Sequence, residues 1–137
     1  MKLPVAIMAI CMGVVSACAS TADGAKRSAP SLLGQWGGPH VALTVTTTGG
    51  ELEFDCARGE ITQPIRPDPS GNFSAAGLYM PEHGGPVRPS DDHAGQPAVY
   101  QGRLSNDHLS LRIRVGADAF GPFELQRGRI GEVTKCR

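Results

Sequence analysis

VALTVTTTGGELEFDC, residues 41–56, alternates apolar and polar residues on both sides of a glycine pair. The apolar positions before and after the pair are Val41, Leu43, Val45, Leu52, Phe54 and Cys56. A period of two is typical of a β-strand that buries one face, and Gly49-Gly50 between two such runs indicates a turn. The stretch therefore predicts a β-hairpin with the side chain of Cys56 on its core face.

The chain beyond this hairpin contains further short runs that favour strands, separated by turn residues. These expected strands are 60–66, 73–80, 98–105, 109–115, 120–127 and 130–136. The run 60–66 is the weakest, because Pro64 interrupts it. No segment has a helical period, so the sequence predicts an all-β domain, an antiparallel meander of seven or eight strands. Such a meander closes into a small β-barrel or splits into a β-sandwich, and the barrel is favoured because closure removes exposed edges.

The first strand is expected to start at Gly34-Gln35-Trp36, which resembles the G-x-W motif of lipocalin- and avidin-type barrels. The resemblance implies a barrel in which Trp36 plugs one end, an interpretation preferred over a ring that stacks a ligand. Residues 34–136 are also similar to a group of small exported bacterial proteins, through the G-x-W-G-G start, the stretches 53–57 and 82–86, and the terminal cysteine. This similarity implies no particular activity.

The first eighteen residues, MKLPVAIMAICMGVVSAC, have the layout of a secretory signal. The apolar run after Lys2 is too short for a permanent transmembrane helix, which needs about 20 residues. Val15-Ser16-Ala17-Cys18 resembles the lipobox of bacterial lipoproteins, in which the cysteine receives a diacylglycerol and becomes an acylated amino terminus. The resemblance implies that the signal peptide 1–17 is removed and that Cys18 is lipidated. The alternative is ordinary cleavage after Ala19, which predicts a soluble periplasmic or secreted protein.

Residues 18–31 are expected to be the lipidated cysteine and a flexible tether, because the segment is small, polar and aperiodic. A single β domain, 32–137, follows. The membrane is the expected partner, through the lipid. Ala19 and Ser20 follow Cys18, with no aspartate at the next position, which by resemblance to enterobacterial sorting implies the outer membrane, facing the periplasm. Lysine plus arginine and aspartate plus glutamate number 13 each, so the net charge predicts no nucleic-acid partner.

The four cysteines can each be given a role. Cys11 leaves with the signal and Cys18 takes the lipid, so Cys56 and Cys136 remain as a pair in an oxidising compartment. We expect them to form a disulfide bond that closes a loop of about 80 residues, for which chain entropy gives at most about 4.5 kcal/mol. A metal site would need two further ligands, and a redox site would need a close C-x-x-C.

One long connection, PEHGGPVRPSDDHAGQP (81–97), concentrates residues that can bind metals. Nitrogen ligands would come from His83 and His93, and oxygen ligands from Asp91 or Asp92. Connections longer than about 12–15 residues are uncommon in compact domains and are often functional or disordered. Because the spacing matches no zinc pattern, a solvated loop without a ligand is the preferred interpretation.

Other polar side chains are expected to be solvated or structural. They are His40 and His108 beside turns, Glu51, Glu53 and Asp55 on one strand face, and Arg112 and Arg114 on the outer side of another strand. A paired-acid mechanism would need two carboxylates in a cleft, with one pKa raised. Motifs for a serine or cysteine nucleophile are absent from the sequence.

The sequence therefore favours a non-enzymatic lipoprotein of the cell envelope, without a cofactor. Its β domain is expected to bind a small ligand or a peptide, or to support an envelope assembly. A barrel of about eight strands holds at most one small ligand or is filled by side chains. The competing hypothesis is a small metal-dependent hydrolase that uses residues 81–97.

Overall fold

A computed structural model describes residues 30–86 and 95–136 of the chain. The strands are β1 (Gly34–Gly38), β2 (Val41–Val45), β3 (Gly50–Phe54), β4 (Ala57–Ile61), β5 (Asn72–Pro81), β6 (Gln96–Ser105), β7 (His108–Val115) and β8 (Asp118–Arg127). Each strand pairs antiparallel with the next, and β8 pairs with β1, so the sheet is a closed barrel. The all-β meander is confirmed, with eight strands, and it is a barrel. Within the described ranges no helix could span a membrane.

The hairpin predicted from residues 41–56 is formed by β2 and β3. Val41 pairs with Phe54 at one end and Val45 with Gly50 at the other. The backbone N–H of Thr46 donates to the carbonyl oxygen of Gly49 at 2.9 Å and closes the turn. The apolar side chains of both strands are buried and the polar ones between them are largely exposed, as the period of two requires.

The position of Cys56 differs from the prediction. β3 ends at Phe54, and Asp55 and Cys56 form a two-residue turn before β4 begins at Ala57. Cys56 has a φ of 55° and is half-buried. Because the turn needs a left-handed backbone at this residue, the alternation stops at Phe54 and the sulfur lies at the rim of the barrel.

β4 lies earlier in the chain than the expected run 60–66. It comprises Ala57–Ile61 and is followed by a loop in which prolines, lacking a backbone N–H, cannot continue the ladder. Its inward positions include Gly59, and a side chain there would collide with the hydroxyl of Tyr100. The glycine therefore makes room for an aromatic ring, but it removes the apolar signal by which the strand could be recognised.

The inside of the barrel is filled by large apolar side chains. Those that are less than 2% exposed are Trp36, Val41, Leu43, Leu52, Tyr100, Leu109, Leu111, Ile113 and Leu125. They come from β1, β2, β3, β6, β7 and β8, so strands all around the barrel contribute to one core. Burial of this apolar surface is the main term that stabilises the fold.

Residues 128–136 do not form the expected last strand. After β8 they run back along the outside of β1, and we call this segment the C-terminal strap. The backbone N–H of Gly128 donates to the carbonyl oxygen of Gln35 in β1 at 2.8 Å, and Glu132 forms an isolated bridge with Pro39, directly after β1. The backbone N–H of His40 donates to the carbonyl oxygen of Glu132 at 2.8 Å, and that of Glu132 donates to Gly38 at 3.0 Å. Ile130, the first residue of the expected strand 130–136, is 87% exposed.

Candidate functional site

The predicted metal loop lies only partly in the described residues. His83 is exposed, and its Nδ1 lies 3.4 Å from the carbonyl oxygen of Gly84. Asp91, Asp92 and His93 fall outside the described ranges, so the metal hypothesis stays a prediction. Among residues 30–86 and 95–136, no group of three or more histidine, cysteine, aspartate or glutamate side chains could hold a metal ion.

The two cysteines of the β domain form the expected disulfide bond. Cys56 and Cys136 are 80 positions apart in the sequence, and their Cα atoms are 4.9 Å apart. The bond joins the β3–β4 turn to the end of the C-terminal strap. Cys18, the predicted lipidation site, lies outside the described residues.

Asp55 holds the strap beside this disulfide. Its carboxylate accepts a hydrogen bond of 2.7 Å from the backbone N–H of Thr134 and a second, short one from Nδ1 of His40. The Thr134 N–H, and then His40, lower the pKa of Asp55 below its ordinary value of 3.8. The sequence pattern placed Asp55 in a row with Glu51 and Glu53. It instead turns toward the strap, and a lowered pKa is the opposite of what a general acid requires.

We expect Asp55→Asn to lower the melting temperature near neutral pH, because the amide cannot provide the charge that these two donors favour. A carboxyl whose pKa is lower in the folded chain stabilises the fold above its unfolded pKa, and the effect is lost as the pH falls through the folded value. The two proteins should therefore converge below pH 3.8, the ordinary value of this carboxyl. Thermal melts from neutral to strongly acidic pH check this, with Asp118→Asn, an exposed carboxylate at the start of β8, as control. A pH-independent difference would contradict it.

Ion pairs of Lys135 also attach the strap to the barrel. Nζ of Lys135 lies 3.6 Å from a carboxylate oxygen of Glu53 and 3.5 Å from one of Glu82. The other carboxylate oxygen of Glu82 lies 3.2 Å from Nε of Arg58. These side chains are partly exposed, and such pairs contribute about 0–1 kcal/mol each. We therefore assign this cluster to the attachment of the strap.

Trp36 is a core residue, as the sequence predicted, and it lies at the end of the barrel where β1 begins and β8 ends. The ring is 1% exposed, and its Nε1–H donates to the carbonyl oxygen of Leu32 at 2.8 Å. The guanidinium of Arg127 lies 4.2 Å from the ring centroid, at cation–π distance. The same guanidinium donates to Asp107 at 3.0 Å and to the carbonyl oxygen of Ser31 at 2.8 Å. The indole is thus covered by a tied side chain and has no free face for a ligand.

The interior offers little with which to orient a ligand. Among the described residues, no charged or polar side chain is buried. The hydroxyl of Tyr100 donates to the carbonyl oxygen of Leu78 at 2.6 Å, and burial raises the pKa of this phenol. Ligand pockets combine an apolar lining with a few polar groups that fix orientation. A core filled by side chains, with its phenol already satisfied, does not match that description.

Carboxylates gather on the outer side of β3 and β4. We call Glu51, Glu53 and Glu60 the acidic face; they are exposed, and Glu51 lies directly opposite Glu60 in the ladder. A groove of about 350 Å³ runs along this face. Arg58 lies opposite Glu53, so part of the negative charge is compensated on the same surface.

Arginines gather on the outer side of β6 and β7. We call Arg103, Arg112 and Arg114 the basic face, and all three are exposed. The other side chains of β6 and β7 point into the barrel or carry no full charge. In an eight-stranded barrel, β3 and β7 lie on opposite sides. The zero net charge of the chain therefore conceals a separation of charge between two faces.

No family model, no curated protein and no solved structure matches this chain.

Proposed function

We propose that this protein is a cell-envelope lipoprotein whose barrel is a non-enzymatic binding module that acts through its outer surface. The observation that carries the proposal is the filled interior. Trp36 and Tyr100, the two largest buried side chains, occupy space in which other barrels hold a ligand. A filled barrel is a rigid support for side chains on its outside, where its charges lie.

The tether supports the same proposal. Cys18 and Pro30 are separated by a polar segment of small residues. Even a fully extended chain of 12 residues reaches no more than about 43 Å. Pro30 adjoins the end of the barrel that Trp36 closes, because Ser31 and Leu33 accept hydrogen bonds from Arg127 at that end. An anchor at Cys18 would hold this end near the membrane and leave the sides of the barrel accessible.

The anchor is tested by comparing Cys18→Ser with Cys11→Ser in cells. We expect wild type and Cys11→Ser to be found in the membrane fraction, because Cys11 would be removed with the signal. Cys18→Ser should leave that fraction or accumulate as an uncleaved precursor, because the lipid acceptor is missing. Fractionation followed by immunoblotting measures both. If Cys18→Ser is processed and distributed like wild type, the lipoprotein proposal is wrong.

A further inference from the structure

Three arginines form a compact group on the outside of the barrel. In the β6–β7 ladder, Arg103 lies opposite Ser110, and Arg112 lies opposite Gln101. Residues two apart on a strand lie on the same face about 6.5–7 Å apart, and diagonal neighbours on adjacent strands lie at about 7–8 Å. The Cα atoms of the three arginines therefore form one oblique row, from Arg103 on β6 to Arg112 and Arg114 on β7.

The arginines of the basic face differ from others in the barrel. Arg58, Arg127 and Arg129 each pair with a carboxylate, at 3.2, 3.0 and 2.7 Å. Within the described parts of the chain, no carboxylate lies in ion-pair distance of the three arginines of the basic face. Glu124, which lies opposite Ser110 in the β7–β8 ladder, accepts a hydrogen bond of 2.9 Å from the hydroxyl of Ser110. The positive charge of this surface is thus not neutralised within the described barrel.

The polar side chains beside the arginines can form hydrogen bonds with the hydroxyl groups of a sugar. A shallow groove of about 320 Å³ crosses β5, β6 and β7, with Asn72, Gln101 and Ser110 beside Arg103 and Arg112. The aromatic ring that borders the groove, Phe73, is 7% exposed. The surface therefore provides guanidiniums for anions and amides and a hydroxyl for sugar hydroxyls, but no exposed ring on which a base could stack.

We propose that the basic face binds an acidic polysaccharide of the cell envelope, a partner that deepens the binding function proposed above and rests on it. A linear polymer with repeated negative charges can follow a row of arginines and bond to the amides beside it. A bilayer at the tethered end would meet only one end of such a row. A second copy of this chain is less well matched, because Arg58 and Lys135 already compensate part of the acidic face.

The test uses the complete mature protein, residues 18–137, in neutral detergent micelles. It is titrated with fluorescent oligogalacturonate and, as an uncharged control, with fluorescent dextran. We expect binding to oligogalacturonate alone, weakening with salt with a log–log slope of about −2, for up to three neutralised charges. Arg103→Gln, Arg112→Gln and Arg114→Gln together should weaken binding by about 100-fold, at about fivefold for each exposed arginine. The matched control, Arg58→Gln, Arg66→Gln and Arg129→Gln together, removes the same net charge and should weaken binding less than about threefold.

A second measurement identifies the occupant of the face. Oligogalacturonate should slow the modification of Arg103, Arg112 and Arg114 by phenylglyoxal, but not that of Arg66, an exposed arginine in the β4–β5 loop. Equal losses of affinity in the two triple variants would overturn the proposal. So would protection of the basic face by vesicles of phosphatidylcholine with phosphatidylglycerol, relative to phosphatidylcholine alone, or salt-sensitive self-association that protects it. Because binding is measured on purified protein, its failure would leave the fractionation of Cys18→Ser unaffected.

Discussion

Replacing Trp36 with alanine is expected to lower the free energy of unfolding by about 3–5 kcal/mol. The ring is 1% exposed, so its removal leaves a cavity at the closed end of the barrel. The change also removes the hydrogen bond to Leu32 and the ring beneath Arg127. For a domain of this size each kcal/mol shifts the melting temperature by about 4–8 °C. Thermal and urea denaturation should therefore show a fall of more than about 12 °C, or a chain that does not fold.

Two variants make this prediction specific. Trp36→Phe keeps a ring and loses the indole N–H, so it should cost clearly less than the alanine variant and retain the fold. Leu33→Ala removes a nearby side chain that is 49% exposed, and it should cost less than about 1 kcal/mol. If Trp36→Ala and Leu33→Ala were equally stable, Trp36 would not be the plug of the barrel.

Removing the disulfide bond is expected to cost about 2–4 kcal/mol, less than the entropic ceiling for a loop of this length. The bond fixes the C-terminal strap, whose other attachments are backbone hydrogen bonds, the hydrogen bond from Thr134 to the Asp55 carboxylate, and exposed ion pairs. In the variant Cys56→Ser/Cys136→Ser, the strap should become the first site of proteolysis. The eight-stranded barrel, which is closed by β1 and β8 without the strap, should remain folded at room temperature.

Urea denaturation and limited proteolysis with mass spectrometry measure both effects. Wild type treated with reductant should behave like the double serine variant, which controls for the substitutions themselves. An unchanged urea midpoint, or a strap as resistant as in wild type, would contradict the assigned role of the Cys56–Cys136 bond. Free thiols at both cysteines in the native protein would contradict the bond.

The sequence predicted the strands in which apolar residues mark every inward position. The hairpin of β2 and β3 is one example, and β7 is another, since Leu109, Leu111, Ile113 and Val115 are all buried. Alternation alone could not locate β4, where Gly59 occupies an inward position to accommodate Tyr100. A glycine that makes room for a ring from another strand interrupts the apolar pattern of its own strand. The position of such a strand therefore cannot be predicted without the tertiary packing.

The turn at Asp55 and Cys56 shows a second limit. The alternation of β3 continues through Cys56 in the sequence, whereas the chain reverses there with a left-handed residue. The disulfide partner of Cys56 was still predicted correctly, because only Cys136 remained after the other two cysteines had been assigned. The sequence predicted a strand at 130–136, but these residues belong to the strap, and Ile130 faces solvent.

For the candidate sites, the sequence identified residues but did not predict which of them are in contact. Asp55 was grouped with Glu51 and Glu53 by spacing, while its contacts are with His40 and Thr134. The role of Arg127 beside Trp36 depends on closure of the barrel, which brings β8 next to β1. Counting charged residues gave a net charge of zero. Only the register of the strands shows that acidic and basic residues lie on two different faces.

Native mass spectrometry of the protein purified in mild detergent from whole cells tests the central proposal most directly, because one spectrum reports the anchor, the disulfide and the interior. We predict the mass of residues 18–137 with lipid at Cys18, less two hydrogens for the Cys56–Cys136 bond, and no small molecule retained in the barrel. A mass that begins at Ser20 without lipid would contradict the anchor. A stoichiometric small molecule that survives transfer to the gas phase and is released on unfolding would contradict the filled interior.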